Sequence, residues 1–267
     1  MSDDSPRDSE LAVDLEHALA ANEFFLVYQP EIDLHTNGFV GVEALLRWRH
    51  PSRGILNPSD FLALLESTGT IIAVGGWILD TACRQGTEWY AKGYRFPVAV
   101  NISPTQLRRQ SFVDDVRRSL RASRLDPARL TLEFSHQVFD DAQILAHLGE
   151  VRELGVLLAI DDFSPGHPPF EELRHWPVDI IKLDRNFVTT TAGDRDDDIA
   201  SVQRLVQEAR SLHLRVIASG VEDATQRDHL RDEKVDVGQG FHFARPFEAH
   251  EIDRFLEDFA LFSGRPL

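Results

Sequence analysis

The sequence predicts an α/β chain folded as a modified TIM-type (β/α)8 barrel with an antiparallel first strand pair. Three observations carry this reading. Eight apolar runs of strand length recur along the 267 residues, at 24–29, 40–48, 97–102, 129–134, 156–161, 178–183, 214–219 and 235–241. The later runs alternate with segments of helical periodicity, the pattern of repeated β-α units that closes into a barrel. The first two runs are joined by 31–38, which contains Thr36-Asn37-Gly38, a hairpin signal that makes this pair antiparallel. The rival architecture, an open doubly wound sheet, should carry a glycine-rich phosphate loop after a strand, and no strand here is followed by one.

Taken in order, residues 1–10 read as a disordered tail and 11–262 as one domain that opens with a short amphipathic helix at 11–21. Further helices are expected at 58–66, 72–90, 105–123, 137–154, 197–212, 225–232 and 250–259. Pro58-Ser59-Asp60 and Pro104-Thr105 have the form of helix starts. Gly155 follows a helix and suits its C-terminal cap.

Composition narrows the function. At 42% hydrophobic and 27% charged, the chain is an ordinary globular one, long enough to bury a substantial core. A net charge of −16 argues against non-specific DNA or RNA binding and against an anionic membrane surface. A small anionic ligand is compatible where arginine, lysine or a metal supplies local positive charge. The single cysteine, Cys83, excludes an internal disulfide, fits a reducing cytoplasm and reads as a small buried hydrophobe on a helix. No apolar stretch reaches membrane-spanning length, and the polar start is no signal peptide, so a cytoplasmic location is expected.

The chemistry concentrates at strand ends. Asp161-Asp162 terminates the apolar run 156–160, and a buried strand should not finish on two adjacent carboxylates unless a cation or hydrogen bonds compensate them. Glu43 sits inside another strand, and Asn101, Glu133 and Lys182 lie at or near the ends of three more. In a barrel of this type the site lies at the carboxyl ends of the strands. Several strands each contribute one polar group there, and oxygen ligands so placed suit a hard divalent metal. Lys182 is one of only three lysines, with Lys92 and Lys234, and stands in the apolar run 178–183. Its simplest role is an ion pair with Asp161 or Asp162 that stabilises the barrel.

Glu43-Ala44-Leu45-Leu46-Arg47-Trp48 resembles the signature of the EAL-domain phosphodiesterases, which hydrolyse cyclic di-GMP to the linear dinucleotide pGpG. Tyr28-Gln29-Pro30, Asn101-Ile102-Ser103-Pro104, Asp161-Asp162-Phe163, Ile181-Lys182-Leu183-Asp184 and Gln239-Gly240-Phe241 match in order, so the resemblance runs from about Leu11 to Pro246. It implies that Glu43, Asn101, Glu133 and Asp161 coordinate one Mg2+ or Mn2+, with Ca2+ inhibitory. It implies that Asp161 bridges to a second metal also bound by Asp162. Lys182 would hold or help activate the attacking water, which makes Lys182 and Asp162 the catalytic pair. Gln29, Leu45, Arg47, Glu222 and Gln239 would bind the ligand, Arg47 through a phosphate and the two glutamines through ligand edges. Without a ligand, each glutamine would be a strand-end hydrogen-bonder and Glu222 a loop cap.

Three departures from the family pattern bear on activity. Where the family has Ala-Glu-Gly-Val-Glu, this chain has Ala218-Ser219-Gly220-Val221-Glu222, and the replaced glutamate ligates the second metal in active members. Where the family has Glu-x-Thr-Glu, this chain ends in His136. The loop after the paired aspartates carries Pro165, Pro168 and Pro169, which restrict the backbone and remove amide donors. Imidazole binds magnesium poorly, so His136 and His167 read as loop or surface histidines, not substitute ligands.

Three functions follow as expectations. The first is a cyclic di-GMP receptor with impaired or absent hydrolysis. The second is an active metal-dependent phosphodiesterase. The third is a nucleotide-independent protein-interaction module, which an acidic surface fits but the retained Gln29, Arg47, Lys182 and Gln239 oppose. The resemblance also admits a homodimer.

Overall fold

The computed structural model describes residues 6–164, 170–186, 188 and 196–263. Residues 1–5 of the expected 1–10 tail and the loop positions 165–169, His167 among them, lie outside the described residues. Helix α1 (Pro6–Ala18) starts earlier than expected: Leu11, Leu15 and Ala18 are buried, and the segment before them continues the helix instead of extending the tail.

Eight strands close the barrel. They are β1 (Phe24–Asp33), β2 (Phe39–His50), β4 (Val98–Asn101), β5 (Leu130–Ser135), β6 (Leu157–Phe163), β7 (Ile180–Leu183), β8 (Arg215–Ser219) and β9 (Val237–Gln239). From β2 through β9 they run parallel, and β1 pairs antiparallel with both β2 and β9, which completes the ring. The hairpin signal therefore marks the strand that departs from the ideal barrel. Its turn is held by Asp33, whose Oδ1 accepts from the His35 and Thr36 amides at 3.0 and 2.7 Å, with Asn37 in the left-handed region at φ 53°. Two short strands, β3 (Gly54–Leu56) and β10 (Phe247–Glu248), extend the sheet from β2 and β1. Neither was legible in the periodicity because each holds only two or three residues.

The remaining helices are α2 (Leu62–Ser67), α3 (Ile71–Ala91), α4 (Pro104–Leu107), α5 (Phe112–Ser123), α6 (Ala142–Glu153), α7 (Phe170–Leu173), α8 (Asp196–Ser211), α9 (Ala224–Asp232) and α10 (Ala249–Ser263). Three expected helices are divided, the one at 58–66 into a 3-10 turn at Pro58–Asp60 and α2, with Phe61 between them. The segment 105–123 breaks between α4 and α5, because Arg108-Arg109-Gln110 offers no apolar face to continue the helix and Phe112 restarts it. The segment 137–154 breaks before Asp141, whose carboxylate caps α6 by accepting from the Gln143 and Ile144 amides. Gly155 follows α6 at φ 95°, a backbone state that costs glycine nothing. None of the described helices is long and apolar enough to cross a membrane.

Strand side chains alternate between the helix-covered outside and the barrel interior. The outward faces build the main core with the helices. Inside, Ala159, Ile180, Ile217 and Val237 pack into a separate aliphatic layer. Two residues further along those four strands stand Asp161, Lys182, Ser219 and Gln239. The period of two thus converts an apolar plug into a polar floor at the carboxyl end.

Candidate functional site

The polar floor is centred on Lys182. Its Nζ donates to Glu43 Oε2 at 2.8 Å and to Glu133 Oε2 at 2.7 Å, and its side chain is 2% exposed. Glu43 also accepts from Asn101 Nδ2 at 2.6 Å and from Gln239 Nε2 at 2.8 Å, and Gln239 in turn donates to Gln29 at 3.5 Å. Residues from β1, β2, β4, β5, β7 and β9 therefore form one network. The expected ion pair of Lys182 with Asp161 or Asp162 is replaced by pairs with Glu43 and Glu133, because those carboxylates face the lysine across the barrel axis.

Charge in this interior is unbalanced. Burial opposes ionisation of Glu43, but the Lys182 ammonium and the hydrogen bonds from Lys182, Gln239 and Asn101 together hold its carboxyl below the usual range. Glu133 is pushed well above that range, first by burial and then by the facing Glu43, against the pull of Lys182. Burial works against the charge on Lys182, yet the surrounding Glu133, Glu43, Asp161 and Glu31 hold its pKa well above the ordinary value. Burial also raises Asp161 and Asp162. Asp162 has φ 54° where the β6–β7 register shifts, a strained backbone of the kind found at functional sites.

A cavity of about 780 Å3 opens above this floor. It is lined by Gln29, Glu43, Leu45, Arg47, Asp161, Asp162, Lys182, Glu222 and Gln239 among the expected residues, with Ser219. A second cavity, of about 350 Å3, adjoins it through Leu45, Asp161 and Asp162 and is lined by Asn101 and Glu133. Every expected site residue thus faces one of two contiguous cavities, whose sizes suit small-molecule ligands. Arg47, half-buried, donates to the Leu46 carbonyl at 2.7 Å, and Glu222 is paired with Arg185.

The donor set fits a hard cation. Glu133 Oε1 is buried with no hydrogen-bond partner, and the groups around it are carboxylates and an amide. Among the described residues, no three Asp, Glu, His or Cys side chains already stand together as a metal cluster. The Lys182 ammonium instead bridges Glu43 and Glu133. The Ser219 hydroxyl and His136 Nδ1 are likewise buried without partners.

Glu31, a buried carboxyl that lines neither cavity, and Arg185, which lines the larger one, escaped the sequence. Glu31 is 6% exposed, and burial raises its pKa from 4.5 to about 7. Its signal was the alternation Gln29, Glu31, Asp33 in β1, a row of polar residues on the inward face. Arg185 follows Lys182 by three residues, and only the fold shows that it meets Glu222.

The EAL domain family model matches residues 12–246. The chain is 37% identical over 246 residues to the bifunctional diguanylate cyclase/cyclic di-GMP phosphodiesterase MucR of Pseudomonas aeruginosa, an alignment covering 91% of this chain and 36% of that protein. It is 36% identical over 262 residues to the cyclic di-GMP phosphodiesterase NbdA of the same organism, covering 97% of this chain and 33% of the relative. The chain therefore spans about a third of the length of these curated relatives. Among solved structures, the PaMucR phosphodiesterase in complex with c-di-GMP superimposes with a TM-score of 0.86 at 37% identity, covering 91% of this chain and 99% of that one.

Proposed function

The chain belongs to the EAL domain family, and from that premise we propose that it binds cyclic di-GMP and acts as a second-messenger receptor with impaired or absent phosphodiesterase activity. One observation carries the choice. The cavity is lined by Gln29, Arg47, Gln239 and Glu222, the groups we propose read the ligand, and at the end of β8 it meets Ser219, whose uncharged hydroxyl is buried without a partner. On this reading the site retains binding and lacks a carboxylate that a second divalent ion would need.

Glu43, Asn101, Glu133 and Asp161 are the residues that would hold Mg2+ or Mn2+, with Asp162 beside them. Bound there, the ion would polarise phosphate oxygens and lower the pKa of water. The chain's own groups do the rest. Arg47 offers a fork of donors to a phosphate. Lys182 holds a permanent positive charge where phosphate charge must be offset. The aliphatic layer of Ala159, Ile180, Ile217 and Val237 closes the cavity floor to water.

A second reading, active hydrolysis, is favoured by the convergence of Glu43, Glu133 and Lys182 and by the phosphodiesterase names of the relatives. Calorimetric titration with cyclic di-GMP in calcium, then in magnesium or manganese, with chromatography of the linear product, separates the two. Binding without product supports the receptor. Product in magnesium or manganese makes the protein an enzyme, and no binding under any ion removes both readings in favour of a protein-interaction module.

A further inference from the structure

We propose that the seam between α3 and α5, on the outside of the barrel, is a docking groove for an acidic peptide segment of a partner protein. The first observation is where the charge sits. Between Arg84 and Arg129 the chain carries ten basic residues and only four acidic ones, Glu88, Asp114, Asp115 and Asp126. That stretch is net +6 in a chain of net −16, which leaves the remainder at −22. Four of the ten basic groups are paired: Lys92 with Asp253, Arg108 with Asp141, Arg117 with Asp114 and Arg118 with Asp115. The other six, Arg84, Arg95, Arg109, Arg121, Arg124 and Arg129, hold no carboxylate among the described residues, and all but Arg129 are exposed. A chain with 44 acidic residues does not lack carboxylates, so an arginine face left open points to an anionic partner from outside.

The second observation is shape. The two helices are tied along the seam by the Ser119 hydroxyl, which donates to Asp80, and by the Thr87 hydroxyl, which donates to the Ser123 carbonyl at 3.0 Å. A surface hollow lies at each end of the tied stretch. One, of about 810 Å3, is lined by Ile72, Gly76 and Trp77 together with Arg109 and Arg118. The other, of about 270 Å3, is lined by Thr87, Tyr90 and Arg124. Tyr90 is 48% exposed, and the Arg95 guanidinium carbon stands 3.8 Å from its ring centroid, a cation–π contact that fixes both groups at the surface. A Cβ on Gly76 would meet nothing within 4 Å, so the first hollow is open down to the helix backbone.

The dimensions select the partner. Trp77 and Tyr90 are thirteen residues apart on one helix, about 20 Å at the α-helical rise. An extended peptide of about six residues spans that length. Its carboxylates would meet the open arginines, and one apolar side chain would enter the hollow of Ile72 and Trp77. A nucleic-acid duplex or an anionic membrane is a worse fit. Either would extend beyond the seam over a surface that carries the −22 charge, whereas a short segment stays within about one screening length of the arginines. A basic face that was merely solvated would explain the exposed arginines but not their alignment with two hollows and an uncovered tyrosine. None of these residues lines the two cavities of the candidate site, so the groove is independent of how that site is read.

The test is fluorescence anisotropy with a labelled peptide of one leucine followed by five glutamates. The parent should bind it, more weakly as sodium chloride rises from about 50 to about 300 mM. Arg121→Glu should weaken binding about fivefold or more. Gly76→Glu, which clashes with nothing and replaces a poor helix former, should do the same by placing a carboxylate in the hollow. Arg204→Glu makes the same charge change as Arg121→Glu on an exposed residue of α8, across the barrel, and should stay within about twofold of the parent. Circular dichroism checks that each variant is folded. No binding by the parent, or an equal loss in Arg204→Glu and Arg121→Glu, overturns the groove. A 20-base-pair DNA duplex or phosphatidylserine vesicles bound as tightly as the peptide, with the same dependence on Arg121, would overturn the acidic-peptide assignment.

Discussion

Lys182 Nζ lies 2.7 Å from Glu133 Oε2, with the two side chains 2% and 1% exposed, and the same ammonium holds Glu43 at 2.8 Å. One buried cation therefore compensates two buried carboxylates. Removing one partner of such a cluster leaves an uncompensated charge and typically costs about 3–5 kcal/mol. Lys182→Ala should lower the melting temperature at neutral pH and abolish any turnover. The loss of stability should shrink as the pH falls, because Glu133, already resistant to ionising, then takes up a proton. Thermal melts at several pH values check the first statement. Unchanged turnover of cyclic di-GMP would remove Lys182 from the chemistry.

Ser219 lines the cavity at the end of β8, its hydroxyl buried without a partner, one residue before Gly220 at φ 77°. If hydrolysis is limited by a missing carboxylate there, Ser219→Glu should raise the rate of linear product formation in magnesium or manganese. It should also tighten the metal requirement, seen as a lower metal concentration at half-maximal rate. A folded Ser219→Glu protein with no rate gain would count against this account of Ser219.

The barrel and the convergence of most candidate site residues were legible because each rested on a strong local signal. Eight strand runs, a hairpin turn and carboxylates at strand ends all survive in the structure, and Glu43, Asn101, Glu133 and Lys182 meet as the strand-end argument requires. Connections were less legible. The break between α4 and α5 depends on three polar residues inside an otherwise helical pattern, and the break before Asp141 on a single cap. Ion-pair partners were not legible at all. Lys182 lies nearer in sequence to Asp161 than to Glu43, yet barrel closure brings β2 and β7 together across 139 residues. Glu31 was hidden because the first strand run was read as ending at residue 29, which left Glu31 in the connection 31–38, whereas β1 extends to Asp33 and carries it into the barrel.

Glu31 makes stability depend on pH. Its folded pKa, about 7, lies above the unfolded value of 4.5, so the folded state binds the proton more tightly. By linkage, that contribution is complete below about pH 4.5 and is lost as the pH rises through 7. The shift corresponds to roughly 3 kcal/mol. Glu31→Gln, which keeps the shape without the charge, should therefore be more stable than the parent at pH 8 and lose that advantage near pH 5. Chemical denaturation at the two pH values measures the difference. A Glu31→Gln variant no more stable than its parent at pH 8 would show that Glu31 is neutralised by some other means.

Gly41 tests where the Glu31 carboxyl sits. The two residues are paired across β1 and β2, and a Cβ on Gly41 would lie 2.6 Å from Glu31 Oε2, with Pro97 closing the other side at 3.5 Å. A carboxylate in open solvent would swing away at little cost, but this one is enclosed by the barrel and its Oε1 already lacks a partner. Gly41→Ala should therefore destabilise the fold by about 1–3 kcal/mol, the usual penalty for overpacking. In Glu31→Ala the obstructing atoms are gone, so adding Gly41→Ala should have little further effect. The double-mutant cycle should thus give a coupling energy of more than about 0.5 kcal/mol. Simple additivity of the two substitutions would mean that the Glu31 side chain does not occupy the space beside Gly41.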